Sequence, residues 1–203
     1  MWSLVIPVKV LAQAKSRLTG ITGTRRAELA LAMVADTVEA ALAAPPVGGV
    51  VVVTDDEAAG AELARLGAVI IADQPDAGLN LALVHGAGYA ERQWPDRGRA
   101  AIAGDLPALR PAELALALGM AQRAGEAFVP DAAGTGTTLY AAVPGRPFRP
   151  GFGPGSRDRH AAGGAAELDL PADSGLRQDV DTPGDLRRAA ELGLGPRSTA
   201  ALR

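Results

Sequence analysis

The chain has 203 residues, 48% of them hydrophobic and 21% charged, with a formal net charge of −3. That length and balance exclude a disordered or fibrous chain and predict a single globular domain spanning residues 1–203. With 20 basic against 23 acidic residues no nucleic-acid partner is expected, although a local basic pocket stays open. Cysteine is absent, which removes disulfides, thiolate metal sites and cysteine nucleophiles together and suits a reducing cytoplasm. The apolar stretches are short, and Met1 to Pro7 lacks the basic start of a signal peptide. A soluble cytoplasmic protein with no membrane contact is expected.

Trp2 to Val8 reads as a buried strand. Thr24 to Leu42 follows as a helix, with Leu29, Met33, Val34, Val38 and Leu42 on one stripe. Gly49 to Thr54 holds four consecutive valines, which predicts a strand covered on both faces. A short helix (Ala58 to Leu66), a strand (Ala68 to Ala72) and a helix (Leu79 to Glu91) come next. The strand Ala100 to Ala103 precedes a helix that starts at Pro111 and runs to about Ala124. Beyond Phe128 the alternation stops: Thr137 to Val143 reads as a strand and Pro144 to Ser156 as a loop. Thr182-Pro183-Gly184-Asp185 then opens a final helix with a capping box. Such alternation predicts an α/β fold built on a mostly parallel, doubly wound sheet. The long Pro/Gly loop is too central for a linker, and ordered loops of that length are usually functional.

Several chemistries are excluded by what is missing. The sequence has no G-x-x-x-x-G-K-[ST] phosphate loop, no G-x-G-x-x-G after the first strand and no G-x-S-x-G elbow. Only His85 and His160 are available, too few for a histidine-rich metal site. Carboxylates, glycines, hydroxyls and arginines remain, the groups of magnesium and phosphate chemistry.

Gly104-Asp105-Leu106-Pro107 places Asp105 at the carboxyl end of a parallel strand, where ligands bind in open α/β sheets. A carboxylate there needs a partner or a metal, unless it merely closes the turn before Pro107. Asp179-Val180-Asp181 alternates two carboxylates across one apolar residue, so in an extended segment both face one way. Thr182 already caps the next helix, which leaves Asp179 the freer ligand; two solvated turn residues are the plain alternative. Lys9, Lys15, Ser16 and Arg17 cluster after the first strand and suit a polyphosphate as readily as a solvated loop. Those two lysines stand beside eighteen arginines, which marks either a need for a compact ammonium or chance.

Gly78-Leu79-Asn80, Gly134-Thr135-Gly136-Thr137-Thr138 and Gly151 to Ser156 could each turn backbone N–H groups toward an anion. Arg157, Arg159 and His160 follow the last of these. His160 is the histidine placed to meet a ligand. His85 shares a stripe with Leu81 and Tyr89 and reads as core or rim, and Tyr89 and Trp94 read as packing residues.

With these residues assembled, the chain resembles the guanylyltransferases that activate 2-phospholactate or phosphoenolpyruvate in deazaflavin coenzyme (F-420) biosynthesis. The resemblance covers Leu4 to about Leu186. It rests on Val5-Ile6-Pro7-Val8-Lys9 with Ala14-Lys15-Ser16-Arg17-Leu18, and on Gly104-Asp105-Leu106-Pro107-Ala108-Leu109. Gly134-Thr135-Gly136-Thr137, Phe152-Gly153-Pro154-Gly155-Ser156 with His160, and Asp179-Val180-Asp181-Thr182-Pro183 complete it. It implies a single-domain nucleotidyltransferase, GT-A-like and Rossmann-like, that takes GTP, a small phosphorylated carboxylic acid and Mg2+. Carried onto this chain, it gives Asp105 and Asp179 to the metal, with Asp181 as a less certain third ligand. Lys9, Lys15, Arg17, Asn80 and Gly104 fall to GTP, and Thr137, Gly153 and Ser156 to the acceptor. One departure stands out: the segment Lys9 to Arg17 has no glycine where nucleotidyltransferases of this fold usually carry a glycine-rich loop. That leaves the triphosphate contacts less defined than the metal contacts.

The implied reaction is in-line attack by an acceptor phosphate oxygen on the α-phosphorus of GTP, expelling pyrophosphate. Asp105 and Asp179 would act catalytically through the metal, and Lys15 and Arg17 on the leaving group. The acceptor is already anionic, so no general base is needed. A molybdenum-cofactor or sugar-phosphate nucleotidyltransferase should carry the glycine-rich first loop that is missing here. A non-catalytic nucleotide-binding subunit should have lost one metal carboxylate, and both are present. Phosphoenolpyruvate, 2-phospholactate and 3-phosphoglycerate are not distinguished by the sequence, and handover to the next enzyme of the pathway is a possible partnership. Thr137, Gly153 and Ser156 are expected to converge on one side of the metal, opposite Lys15 and Arg17.

Overall fold

The computed structural model describes residues 1–11, 15, 17–18 and 23–203. Its strands are β1 (Trp2–Pro7), β2 (Val47–Val53), β3 (Val69–Ile71), β4 (Gly98–Ile102), β5 (Glu126–Pro130), β6 (Thr137–Ala142) and β7 (Ala166–Glu167). They form one sheet in the order β3-β2-β1-β4-β6-β5-β7. Pairing is parallel from β3 through β4, while β6 runs antiparallel to both β4 and β5. Helices α1 (Gly23–Ala43), α2 (Glu57–Arg65), α3 (Leu79–Gln93) and α4 (Pro111–Ala124) connect the first five strands. Then come α5 (Ser156–Ala162), α6 (Pro183–Leu192) and α7 (Pro196–Ala201). The expected mostly parallel, mixed sheet is present.

The run of valines explains why the sheet is covered on both sides. Val50 and Val52 join Leu4 and Ile6 in the main core, whereas Val53 joins Val5 and Leu83 in a second cluster under α3. All four valines are buried, so β2 keeps neither face wet. Helix α3 lies close on β1 at Gly86, where a Cβ would sit 2.4 Å from a Val5 methyl carbon. An alanine there would push the helix off the sheet.

The chain leaves β1 toward β2 and β3, then returns to place β4 on the other side of β1. Their carboxyl ends therefore diverge into a crevice, the usual ligand position in such sheets. Because β6 is antiparallel to β4, its first residue, Thr137, lies at this same end. The β5–β6 register steps from Val129↔Leu139 to Pro130↔Thr137, skipping Thr138. This bulge turns Thr137 to the face opposite its normal alternation with Leu139.

Four elements escape the sequence reading: β5, β7, α5 and α7. Strand β5 is five residues squeezed between a helix end and a turn, and β7 is two residues. Helix α7 follows α6, so the helix opened by Thr182 is not the final one. Helix α5 buries Ser156 and His160, four residues apart, so its inward stripe is polar and hydrophobic periodicity cannot find it. No described helix is long and apolar enough to cross a membrane.

Candidate active site

A cavity of about 440 Å³ opens at the carboxyl ends of β1 and β4, with Pro7, Lys15, Gly104, Asp105, Phe152 and Asp181 on its walls. Asp105 follows β4 by three residues, and its loop is pinned where the Leu106 amide donates to the Thr37 hydroxyl of α1. The Val180 amide donates to the Asp105 carbonyl over 3.1 Å, which lays Asp179-Val180-Asp181 against that loop. Val180 is buried against Leu29, Met33 and Ala189. Asp181 lines the cavity, whereas Asp179 is absent from its lining and lies buried near Asp105, Asp131 and Asp181. Thr182 caps α6 in a box with Asp185, also as expected.

Lys15 joins the carboxylates. Its ammonium pairs with Asp105 and lies 3.1 Å from Asp181 Oδ1. Burial alone would lower the Lys15 pKa, but the Asp105 and Asp181 carboxylates outweigh it and raise it above the ordinary value. Its backbone is left-handed, φ +55°, a strained conformation for a lysine that suits a functional site. Arg17 reaches Asp181 Oδ2 at 2.5 Å from a side chain that is 69% exposed. Lys9 is exposed on the cavity wall. Ser16 lies outside the described residues.

Asp179 has the most perturbed carboxyl of the group. Burial, and then the charges of Asp105, Asp131 and Asp181, push its pKa up to about 7. Asp105, Asp179 and Asp181 thus stand against the two cations Lys15 and Arg17, which pair with Asp105 and Asp181. The hard carboxylate oxygens suit a divalent cation such as magnesium, and the Lys15 ammonium already sits between two of them. Among the described residues, no three such side chains are drawn into a finished metal cage.

Thr137, the Gly151–Gly155 loop and α5 form a second cluster, which contributes Phe152 to the cavity wall. Thr137 Oγ1 is 3.0 Å from His160 Nδ1, and the Gly151 amide donates to His160 Nε2 over 2.8 Å. The Ser156 amide donates to the Gly153 carbonyl, and the Arg157 amide to the Thr135 carbonyl. Gly153 and Gly155 both hold positive φ, +110° and +69°. Ser156 is fully buried, and its hydroxyl has no hydrogen-bond partner among the described residues. Thr137 and the Gly151 amide thus meet at His160, while Gly153 is tied to α5 through the Ser156 amide. Sheet order sets the Lys15 loop after β1 on one side of β4 and Thr137 on the other.

Two side chains have tasks the sequence did not assign them. Asn80 donates to the Phe152 carbonyl and accepts from the Phe152 amide, tying α3 to the glycine loop. Asp131 accepts from the amides of Thr135 and Gly136 at 2.9 and 2.8 Å. The N–H groups of that glycine turn thus face a carboxylate of the protein itself. A Cβ on Gly136 would meet Asp131 Oδ2 at 2.3 Å, which accounts for the glycine. Nothing in the spacing of Asp131 flags this, because its partners are backbone groups. His85 is half-buried on the rim of α3, and Trp94 packs beneath Arg97, as expected.

Residues 2–163 match the family described as CofC-like guanylyl transferases. The chain belongs to that family. Among curated relatives of this guanylyl transferase, one from Thermomonospora curvata, named phosphoenolpyruvate guanylyltransferase, is 58% identical over 98% of this chain and 87% of its own. A relative of the same name from Streptomyces coelicolor is 56% identical over 98% of this chain and 94% of its own. Solved structures share the fold at lower identity. A nucleotidyl transferase from Methanothermobacter thermautotroptrophicus superposes with TM-score 0.60 at 24% identity, covering 95% of this chain and 97% of the other. A CMP:2-keto-3-deoxy-manno-octonic acid synthetase complexed with CTP gives 0.57 at 17% identity, covering 94% and 98%. The architecture is that of nucleotidyltransferases.

Proposed function

We propose that this guanylyl transferase moves GMP from GTP to the phosphate of phosphoenolpyruvate and releases pyrophosphate. The observation that carries the reading is the carboxylate cluster at the end of β4, with the cationic Lys15 and Arg17 beside it on the cavity wall. The names of the relatives supply the acceptor; 2-phospho-L-lactate, one hydrogenation away, is the second candidate. The reading places the enzyme in the cytoplasm and in deazaflavin coenzyme biosynthesis.

In this reading Asp105 and Asp179 would hold Mg2+, with Asp181 beside them. When bound, the ion supplies positive charge to the phosphate oxygens of the transition state. Lys15 then exchanges its carboxylate partners for triphosphate oxygens and, with Arg17 and Lys9, neutralises the departing pyrophosphate. Gly104 borders the nucleotide's cavity at the strand end, and Asn80 serves it by holding the Phe152 loop on the same cavity. Thr137, Gly153 and Ser156 orient the acceptor so that its phosphate oxygen attacks the α-phosphorus from the side opposite the leaving oxygen. One P–O bond forms and one breaks; no proton need move. The product keeps a high-energy diphosphate linkage, which favours handover to an enzyme that consumes it.

A pyrophosphate-release assay over four nucleoside triphosphates and the acceptors phosphoenolpyruvate, 2-phospholactate and 3-phosphoglycerate tests this. Release restricted to GTP with phosphoenolpyruvate is expected. Equal release with all nucleotides, or none with any acceptor, would remove the reading.

A further inference from the structure

We propose that His160 is a positioning residue that fixes the Thr137 hydroxyl as a hydrogen-bond donor to the acceptor's anionic group. The proposal rests on Thr137 belonging to the acceptor site, and deepens that reading. A backbone N–H can only donate, so the 2.8 Å contact from Gly151 makes His160 Nε2 the bare, accepting nitrogen. The ring is neutral: burial and then the Arg159 charge push its pKa down to about 4. Its proton must therefore be on Nδ1, which donates to Thr137 Oγ1 at 3.0 Å. With that lone pair engaged, the threonine hydrogen is free to point outward. The opposite tautomer would turn the hydrogen into the imidazole and present only lone pairs to a carboxylate or phosphate, which also carries only lone pairs.

The ring cannot easily swap its roles. It stacks on Tyr140 with centroids 4.7 Å apart and is edged by Phe152 and Phe128 at 5.7 and 5.5 Å. His160 is 3% exposed, so no water competes for either nitrogen. Among the described residues, Arg159 on its own helix is the charge that acts on it, and Glu126 is held beyond the ring by the Tyr140 hydroxyl. The bulge that skips Thr138 brings Thr137 to this face, and the i, i+4 spacing brings Ser156 and His160 to the same stripe. One imidazole thus ties the strand, the glycine loop and the helix, and sets the polarity of the hydroxyl between them.

Nitrogen-15 NMR of histidine-labelled enzyme reads the tautomer directly, and calorimetric titration with phosphoenolpyruvate and with GTP, in Mg2+, reads the consequence. His160→Phe keeps an aromatic ring between Tyr140 and Phe152 and removes both nitrogens. The expected result is a protonated Nδ1 and bare Nε2 from pH 6 to 8. His160→Phe and Thr137→Val should each weaken phosphoenolpyruvate binding about tenfold, the double variant no further, and GTP binding should change less than about twofold. A protonated Nε2, or additive losses in the double variant, would overturn the proposal while leaving the function in place. So would acceptor binding that survives His160→Phe. A wild-type enzyme that binds no phosphoenolpyruvate would overturn both.

Discussion

The Val180 amide and the Asp105 carbonyl are joined by a 3.1 Å hydrogen bond, and through it two carboxylate-bearing segments far apart in the chain become one site. Neither segment is sufficient. Asp105 is carried by the sheet, and Asp179 and Asp181 by a strand-like strip anchored on buried Val180.

Asp105→Asn should cut turnover by more than about a hundredfold, because loss of a metal ligand should exceed the roughly 10–100-fold cost of outer-shell changes. Asp179→Asn should do nearly the same, and Asp181→Asn distinctly less. Pyrophosphate release at saturating magnesium, with circular dichroism to confirm the fold, checks the order. Near-normal turnover by the Asp105 variant would disprove the metal assignment.

Lys15 and Arg17 should separate cleanly in stability. The Lys15 side chain is 12% exposed and holds two carboxylates, so Lys15→Ala leaves Asp105 without its cation while Asp181 keeps only Arg17. A loss of about 1–2 kcal/mol is expected, roughly 2–8 °C in Tm, partly restored by magnesium. Arg17 is mostly solvated, and Arg17→Ala should stay within about 0.5 kcal/mol. Both should weaken GTP binding. Thermal scans with and without magnesium, beside GTP titrations, decide it.

Ser156→Ala removes a buried hydroxyl that bonds to nothing among the described residues, so stability should hold or rise slightly. The acceptor's KM should nevertheless increase about tenfold while that for GTP stays level, because the hydroxyl's partner is the acceptor. Gly153→Val must force a side chain into φ +110°, at about 1–3 kcal/mol of backbone strain, and should damage the same parameter more. If this were an ordinary connector, both substrates would suffer equally and little.

His160 gives a pH prediction with a definite sign. Its folded pKa is near 4, below the ordinary 6.5, so between these values the unfolded chain binds more protons than the native one. Stability from this group is therefore full above pH 6.5 and is lost as pH falls toward 4, with a slope of at most about 1.4 kcal/mol per unit. His160→Phe should lose this dependence, so its stability difference from wild type should shrink on acidification. Urea denaturation from pH 4 to 7.5 measures that difference.

The parallel half of the fold was legible because its strands are long apolar runs and its helices carry apolar stripes, as Val50–Val53 and the Leu29–Leu42 stripe show. In the antiparallel half, β6 was legible as Thr137 to Val143, but β5, β7 and α5 were not. Those two strands are too short to show a pattern, and the buried stripe of α5 is Ser156 and His160. The carboxylates were legible from their position after a strand and their spacing around Val180. Lys15 as their shared counter-ion, Asp131 filling the glycine turn and Asn80 bracing Phe152 were not. Those contacts span the fold or end on backbone atoms, which residue type and spacing do not encode.

Phosphorus NMR of the purified enzyme with GTP, phosphoenolpyruvate and magnesium tests the central claim most directly. The account predicts a new pair of coupled diphosphate resonances growing in step with pyrophosphate, as the GTP and phosphoenolpyruvate signals fall together, and no change with Asp105→Asn. Pyrophosphate appearing without the new diphosphate pair, or the pair forming at an undiminished rate with Asp105→Asn, would contradict it.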